Sequence, residues 1–145
     1  MRLIAGGLVL AVLVTGGCMT RPGRDALVQR TDCAPIRFDI YFATDQAGLT
    51  PVAEEAVRLG ASQVAGCAID RVRVLGLADA QGAPSANLDL SERRARSVTA
   101  ALEAQGLPAP VFEVQAAGAS GATTADGANA PMRRHTEVLI EARPR

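Results

Sequence analysis

An isolated acid, Asp79, and a base fifteen residues later, Arg94, flank a helix entry in the stretch Gly76–Arg96, GLADAQGAPSANLDLSERRAR. Two opposite charges so placed can make a small binding site, the acid taking a cation and the guanidinium an anion through charge-assisted hydrogen bonds. Arg94 is the odder of the two. Leu90, Arg94, Val98 and Leu102 share one i, i+4 line, so the arginine interrupts an apolar stripe near a helix start, where the backbone dipole disfavours a cation. A charge there needs a partner, whereas Arg93 and Arg96 point away and read as a solvated face. Each residue also has a plainer reading. A lone arginine on an apolar stripe snorkels, a lone aspartate in a loop is most often a turn residue, and spacing by itself does not bring the two together.

Other chemistries find little support. The single histidine, His135, falls in a strand-like segment near the C-terminus, and pairing it with Ser91 as a hydrolytic site would be arbitrary; an enzyme is not expected. The cysteines lack CxxC spacing, which argues against a metal site, and no cofactor is expected. A formal net charge of zero argues against a general nucleic-acid binder.

The elements that must position Asp79 and Arg94 follow from periodicity. Ile36, Phe38, Ile40 and Phe42 alternate with Arg37, Asp39 and Tyr41, a half-buried strand. Thr50-Pro51 predicts a helix start, Thr50 as N-cap and Pro51 at the first position. Val52, Ala56 and Leu59 follow at helical spacing, and the helix ends near Ala65-Gly66. Arg71–Gly76 is the second strand and Leu77–Ser85 a loop. Asn87 or Ser91 caps a second helix that runs to about Gln105 and stops at Gly106, with Pro108 beyond. Val111–Ala116 alternates as a third strand, and Gly118–Ala130 is a small, polar loop of the kind that moves. His135–Ala142 is a last strand with Thr136, Val138 and Ile140 on one face. The order β-α-β-α-β-β predicts an α/β (α+β) two-layer sandwich, a mixed four-stranded sheet with both helices on one face. At 48% hydrophobic and 21% charged the chain is globular, and with 3% aromatics its core must be mostly aliphatic.

The N-terminus reads as an address. Met1-Arg2 precedes an apolar run, Leu3–Val14, too short to span a bilayer comfortably. Small residues then lead to a cysteine, Thr15-Gly16-Gly17-Cys18. This is a secretory signal, and it resembles a bacterial lipoprotein signal, in which residues 1–17 are removed and Cys18 is lipidated. With Met19 after the cysteine, where an Asp would suggest inner-membrane retention, the resemblance implies outer-membrane sorting, with several acyl chains as a stable anchor. Residues 18–32 then form the lipidated cysteine and a polar tether of at most roughly 45–50 Å, and residues 33–145 the folded domain. Cys33 precedes the first strand and Cys67 the second. Strands joined by a helical crossover start on the same side of a sheet, and export places them in an oxidising compartment. A Cys33–Cys67 disulfide is therefore expected, the alternative being two buried thiols.

From about Ile36 to Glu141 the residues resemble the OmpA-like peptidoglycan-binding domain. The matching motifs are Tyr41-Phe42 with Thr44-Asp45 and Leu49-Thr50, Gly76 to Gly82 around Asp79, Asn87-x-x-Leu90-Ser91-x-x-Arg94-Ala95, and Arg133-Arg134-His135-Thr136-Glu137-Val138. The resemblance implies non-covalent binding of the meso-diaminopimelate of the peptidoglycan stem peptide. Asp79 and Arg94 would read the ammonium and carboxylate that this residue carries on one carbon. Thr44 and Asp45 would contribute backbone N–H groups, and Asn87 and Leu90 would line the site. Leu77 and Ala78 stand where the family has His and Thr, which removes two polar side chains beside Asp79. The implied protein is lipid-anchored in the outer membrane, faces the periplasm, and links that membrane to peptidoglycan. The alternative is an adaptor that uses the same fold to dock other envelope proteins.

Overall fold

The computed structural model describes residues 33–108 and 112–145. The leader, Cys18 and the tether lie outside the described residues, as does Val111. Four strands and two helices alternate as β1 (Ile36–Tyr41), α1 (Pro51–Gln63), β2 (Ala68–Gly76), α2 (Pro84–Ala104), β3 (Phe112–Ala116) and β4 (His135–Arg143), with a 3-10 turn at Pro131–Arg133 before β4. The expected mixed four-stranded sheet with two helices is present. Its strand order is β1-β4-β2-β3. β4 runs antiparallel to both β1 and β2, and β2 runs parallel to β3. The last strand is thus inserted at the centre, between the first two.

Register puts Phe38, Val138 and Val74 in one row across the sheet, and Ile36, Ile140 and Val72 in another. These rows, with Ile40 and Phe42, meet Val57 from α1 and Val98 and Leu102 from α2 in a single apolar cluster. The opposite face carries charge, including Arg71 and Arg73 paired with Glu113 and Glu141. Such exposed pairs are worth little individually.

Thr50 caps α1 as expected, its hydroxyl accepting the Ala53 N–H at 3.2 Å with Pro51 in the first turn. The inward line differs from the expected one. Val52 is 80% exposed and Leu59 49%, and the buried residues are Ala53, Val57, Gly60 and Ala61. The reason is proximity. A Cβ on Gly60 would lie 2.5 Å from Phe38 Cζ, so the helix meets the sheet through its small residues.

α2 also begins earlier than its capping residues suggest. Ala83 occupies the N-cap without a side-chain bond and Pro84 opens the helix. Proline suits that first turn because its missing N–H has no helical acceptor there. Asn87 and Ser91 are therefore interior and buried, not caps. The contact of α2 with β2 is very close, since a Cβ on Gly76 would stand 1.9 Å from the Ser91 carbonyl oxygen. Cys33 and Cys67 form a disulfide, Cα–Cα 5.8 Å, that joins the approach to β1 to the approach to β2.

Candidate functional site

The site lies where the chain leaves β2. The Leu77 N–H donates to the His135 carbonyl at 3.0 Å, the Ala78 N–H to the Gly118 carbonyl at 2.8 Å, and the Ala80 N–H to Asn129 Oδ1 at 2.8 Å. Asp79 is thereby held between β4 and the loop after β3. That loop is internally bonded, with a bridge between Thr123 and Asn129, a buried Ala122, and an Ala130 N–H that donates to the Ala122 carbonyl at 2.7 Å. It is a structured support rather than the loose segment its composition suggests. Leu77 and Ala78 are fully buried, so the apolar residues at these positions extend the core to the foot of Asp79.

Arg94 enters the same place from α2, one turn past Leu90. It is completely buried. Its Nε donates to the Gln46 carbonyl at 2.8 Å, Nη1 to the Leu77 carbonyl at 3.0 Å and Nη2 to the Ala43 carbonyl at 3.2 Å. Its guanidinium carbon lies 5.0 Å from the centroid of the Phe42 ring, within reach of a cation–π attraction. Burial pushes the guanidinium below its ordinary value, Asp79 and then Asp45 pull it back, and Arg134 and Arg93 add to the lowering. Three backbone carbonyls and two nearby carboxylates are what make a buried cation tolerable here.

Asp79 and Arg94 thus lie in each other's field, but the carboxylate's ion pair is with a different arginine. Arg134 Nη1 donates to Asp79 Oδ2 at 3.2 Å. Asp79 is 5% exposed. Arg134 belongs to the motif before β4, and the sequence carried no sign of its role beyond the two consecutive arginines Arg133-Arg134. Thr44 and Asp45 sit exposed on the turn above Arg94, Asp45 with φ +54. The Gln46 N–H closes that turn on the Ala43 carbonyl at 3.2 Å. The backbone N–H groups of Thr44 and Asp45 have no backbone acceptor among the described residues. Asn87 and Leu90 are buried on the first turns of α2, and Asn87 Oδ1 would be 3.7 Å from a Cβ on Gly82. Ser91 accepts the Gly118 N–H at 3.0 Å and donates to the Leu88 carbonyl at 2.8 Å. His135 Nδ1 bonds the Met132 carbonyl at 2.6 Å. The two residues of a conceivable hydrolytic pair are each bonded to other groups. Among the described residues no cluster of three His, Cys, Asp or Glu is placed to hold a metal ion.

Residues 41–136 match the model of the OmpA family. The chain belongs to the OmpA family. It is 29% identical over 154 aligned residues to the outer-membrane lipoprotein YfiB of Pseudomonas aeruginosa, covering 96% of this chain and 92% of that protein. Its fold is shared with the OmpA-like domain of FopA1 from Francisella tularensis, at TM-score 0.65 and 23% identity, covering 76% of this chain and 73% of the other. It is shared as well with the peptidoglycan-associated lipoprotein of Burkholderia pseudomallei, at TM-score 0.58 and 20% identity, covering 70% and 88%. In this OmpA-family chain all four motifs that carried the resemblance meet around Asp79 and Arg94.

Proposed function

We propose that this OmpA-family protein binds the meso-diaminopimelate of the peptidoglycan stem peptide without breaking a covalent bond, and so ties the outer membrane to the cell wall. The observation that carries the reading is the nearly buried Asp79 carboxylate, set beside Arg134 and above the sealed cation Arg94. Diaminopimelate carries an ammonium and a carboxylate on one carbon. Its ammonium finds an anion in Asp79. Its carboxylate finds the unpaired N–H groups of the Thr44–Asp45 turn, with the Arg94 charge beneath. Of the five N–H groups of a guanidinium, Arg94 commits three to carbonyls and keeps two. Asn87 and Leu90 line the helix side.

The anchor in this reading is lipid on Cys18, with the domain facing the periplasm. It is supported by the leader pattern and by the similarity to a relative that is an outer-membrane lipoprotein. The role is that of a binding protein rather than an enzyme. Co-sedimentation of the protein with purified peptidoglycan, paired with calorimetric titration of meso-diaminopimelate, tests it. Protein in the pellet and heat on titration are expected. Folded protein that remains in the supernatant, with no heat, would sink the linker and favour an adaptor that docks other envelope proteins.

A further inference from the structure

Of the two arginines beside Asp79, only Arg134 faces solvent: its side chain is 29% exposed, whereas Arg94 is sealed. Arg134 is held by its backbone, its N–H donating to the Pro131 carbonyl at 3.1 Å and its carbonyl accepting the Phe42 N–H at 2.9 Å. The side chain is held only at its tip, by Asp79 at 3.2 Å. Its Nε is buried and has no hydrogen-bond partner. A buried, unpartnered N–H costs free energy, and here it sits on a guanidinium whose Nη1 is bonded to Asp79. Asp79 in turn makes no other side-chain hydrogen bond among the described residues. The Asp79 carboxylate is also shared: Arg94 feels Asp79 most strongly, and Arg134 and Asp45 after it.

We propose that Arg134 is the specificity residue of this site, a resident counter-ion that holds Asp79 in the empty state and passes to the ligand's carboxylate when the ligand's ammonium takes Asp79. The proposal rests on the diaminopimelate reading above and adds to it a basis for selection. A ligand with an ammonium alone must displace Arg134 and gives it nothing in return. A ligand with a carboxylate alone finds Arg134 already paired. A zwitterion with both groups on one carbon satisfies both partners at once, and the Nε–H with a terminal N–H forms the planar fork that binds a carboxylate in two places. Arg94 then acts as a positioning residue for the turn that carries Thr44 and Asp45.

Titration of the full-length protein in detergent with three probes of one chain type tests the exchange. The probes are meso-diaminopimelate, pimelate (its carboxylates without amines) and cadaverine (its amines without carboxylates). Wild type should bind diaminopimelate at least tenfold more tightly than either fragment. Arg134→Gln should lose at least tenfold for diaminopimelate while binding cadaverine no more weakly than wild type does, because the competing cation is gone. Arg134→Lys, which keeps the charge without the fork, should recover only part of the loss. The nitrogen-15 resonance of Arg134 Nε should move on saturation with diaminopimelate and stay in place with cadaverine. Melting of the variants within a few degrees of wild type controls for the fold. If Arg134→Gln binds diaminopimelate within twofold of wild type, or the Nε resonance does not move, the exchange is overturned while the diaminopimelate reading stands. If wild type binds neither diaminopimelate nor peptidoglycan, that reading has failed and the exchange falls with it.

Discussion

At the scale of single residues, Asp79 and Arg94 are separable by experiment because they are buried in different ways. Asp79→Asn keeps the shape of the side chain and leaves its partner Arg134 partly hydrated, so the fold should survive. Losing the charge should weaken diaminopimelate binding by about a hundredfold, the range of a charge-assisted bond, read by titration. Arg94 is expected from the resemblance to read the ligand's carboxylate. Its three bonds to the carbonyls of Ala43, Gln46 and Leu77 give it a task in the fold as well. Arg94→Ala should destabilise the domain by about 4 kcal/mol, the cost of orphaned buried acceptors together with a cavity, measured by denaturant unfolding. Arg93 and Arg96 pair with Asp89 and Glu92 on the exposed face of α2. Arg93→Ala and Arg96→Ala should change neither stability nor binding beyond the small worth of exposed pairs; a loss comparable to that at Arg94 would contradict the face assignment.

At the scale of elements, the site depends on how closely α2 lies on β2. Gly76 is where they touch, and any Cβ there meets the Ser91 carbonyl, which is backbone and cannot turn aside. Gly76→Ala should therefore cost about 3 kcal/mol through overpacking. Because β2 leads into Asp79 and α2 carries Arg94, the same change should also weaken binding in the fraction that folds. Denaturation midpoints and titration of one sample would separate the two effects. Ser91, a plausible cap by type alone, instead fastens the Gly118 backbone to α2. Helix starts are encoded redundantly. Pro84 and Ser91 both look like boundary residues, and the choice falls to whichever leaves the polar side chain a partner.

At the scale of the whole molecule, the disulfide closes a separation of 34 residues across β1 and α1. Loop-closure entropy puts its contribution at about 3–4 kcal/mol. Reduction should lower the melting temperature by roughly 15 °C for a domain of this size. Differential scanning with and without reductant, after intact mass has established the oxidised state, would check this; an unchanged transition would show that the bridge stabilises little. The cross-link lies at the start of both strands, whereas Asp79 follows the far end of β2, so diaminopimelate binding by the folded reduced protein should be nearly unchanged.

The sequence by itself determined the element order, the faces of the strands, the apolar line of α2 and the cap at Thr50. Each is a local pattern, written in a period of two or near four and legible without knowledge of neighbours. It also placed Asp79 and Arg94 on the two sides of one helix entry and Cys33 and Cys67 before two parallel strands. Only the tertiary structure decided what meets what. β4 enters between β1 and β2, and this insertion brings Arg134 to Asp79 across 55 residues of chain. The loop after β3 brings Asn129 to Ala80 across 49. The small residues of α1 face inward because Phe38 fills the space that a larger side chain would need. Periodicity says which side of an element is buried. Which side chain supplies a missing charge depends on strand order, and no local pattern carries that.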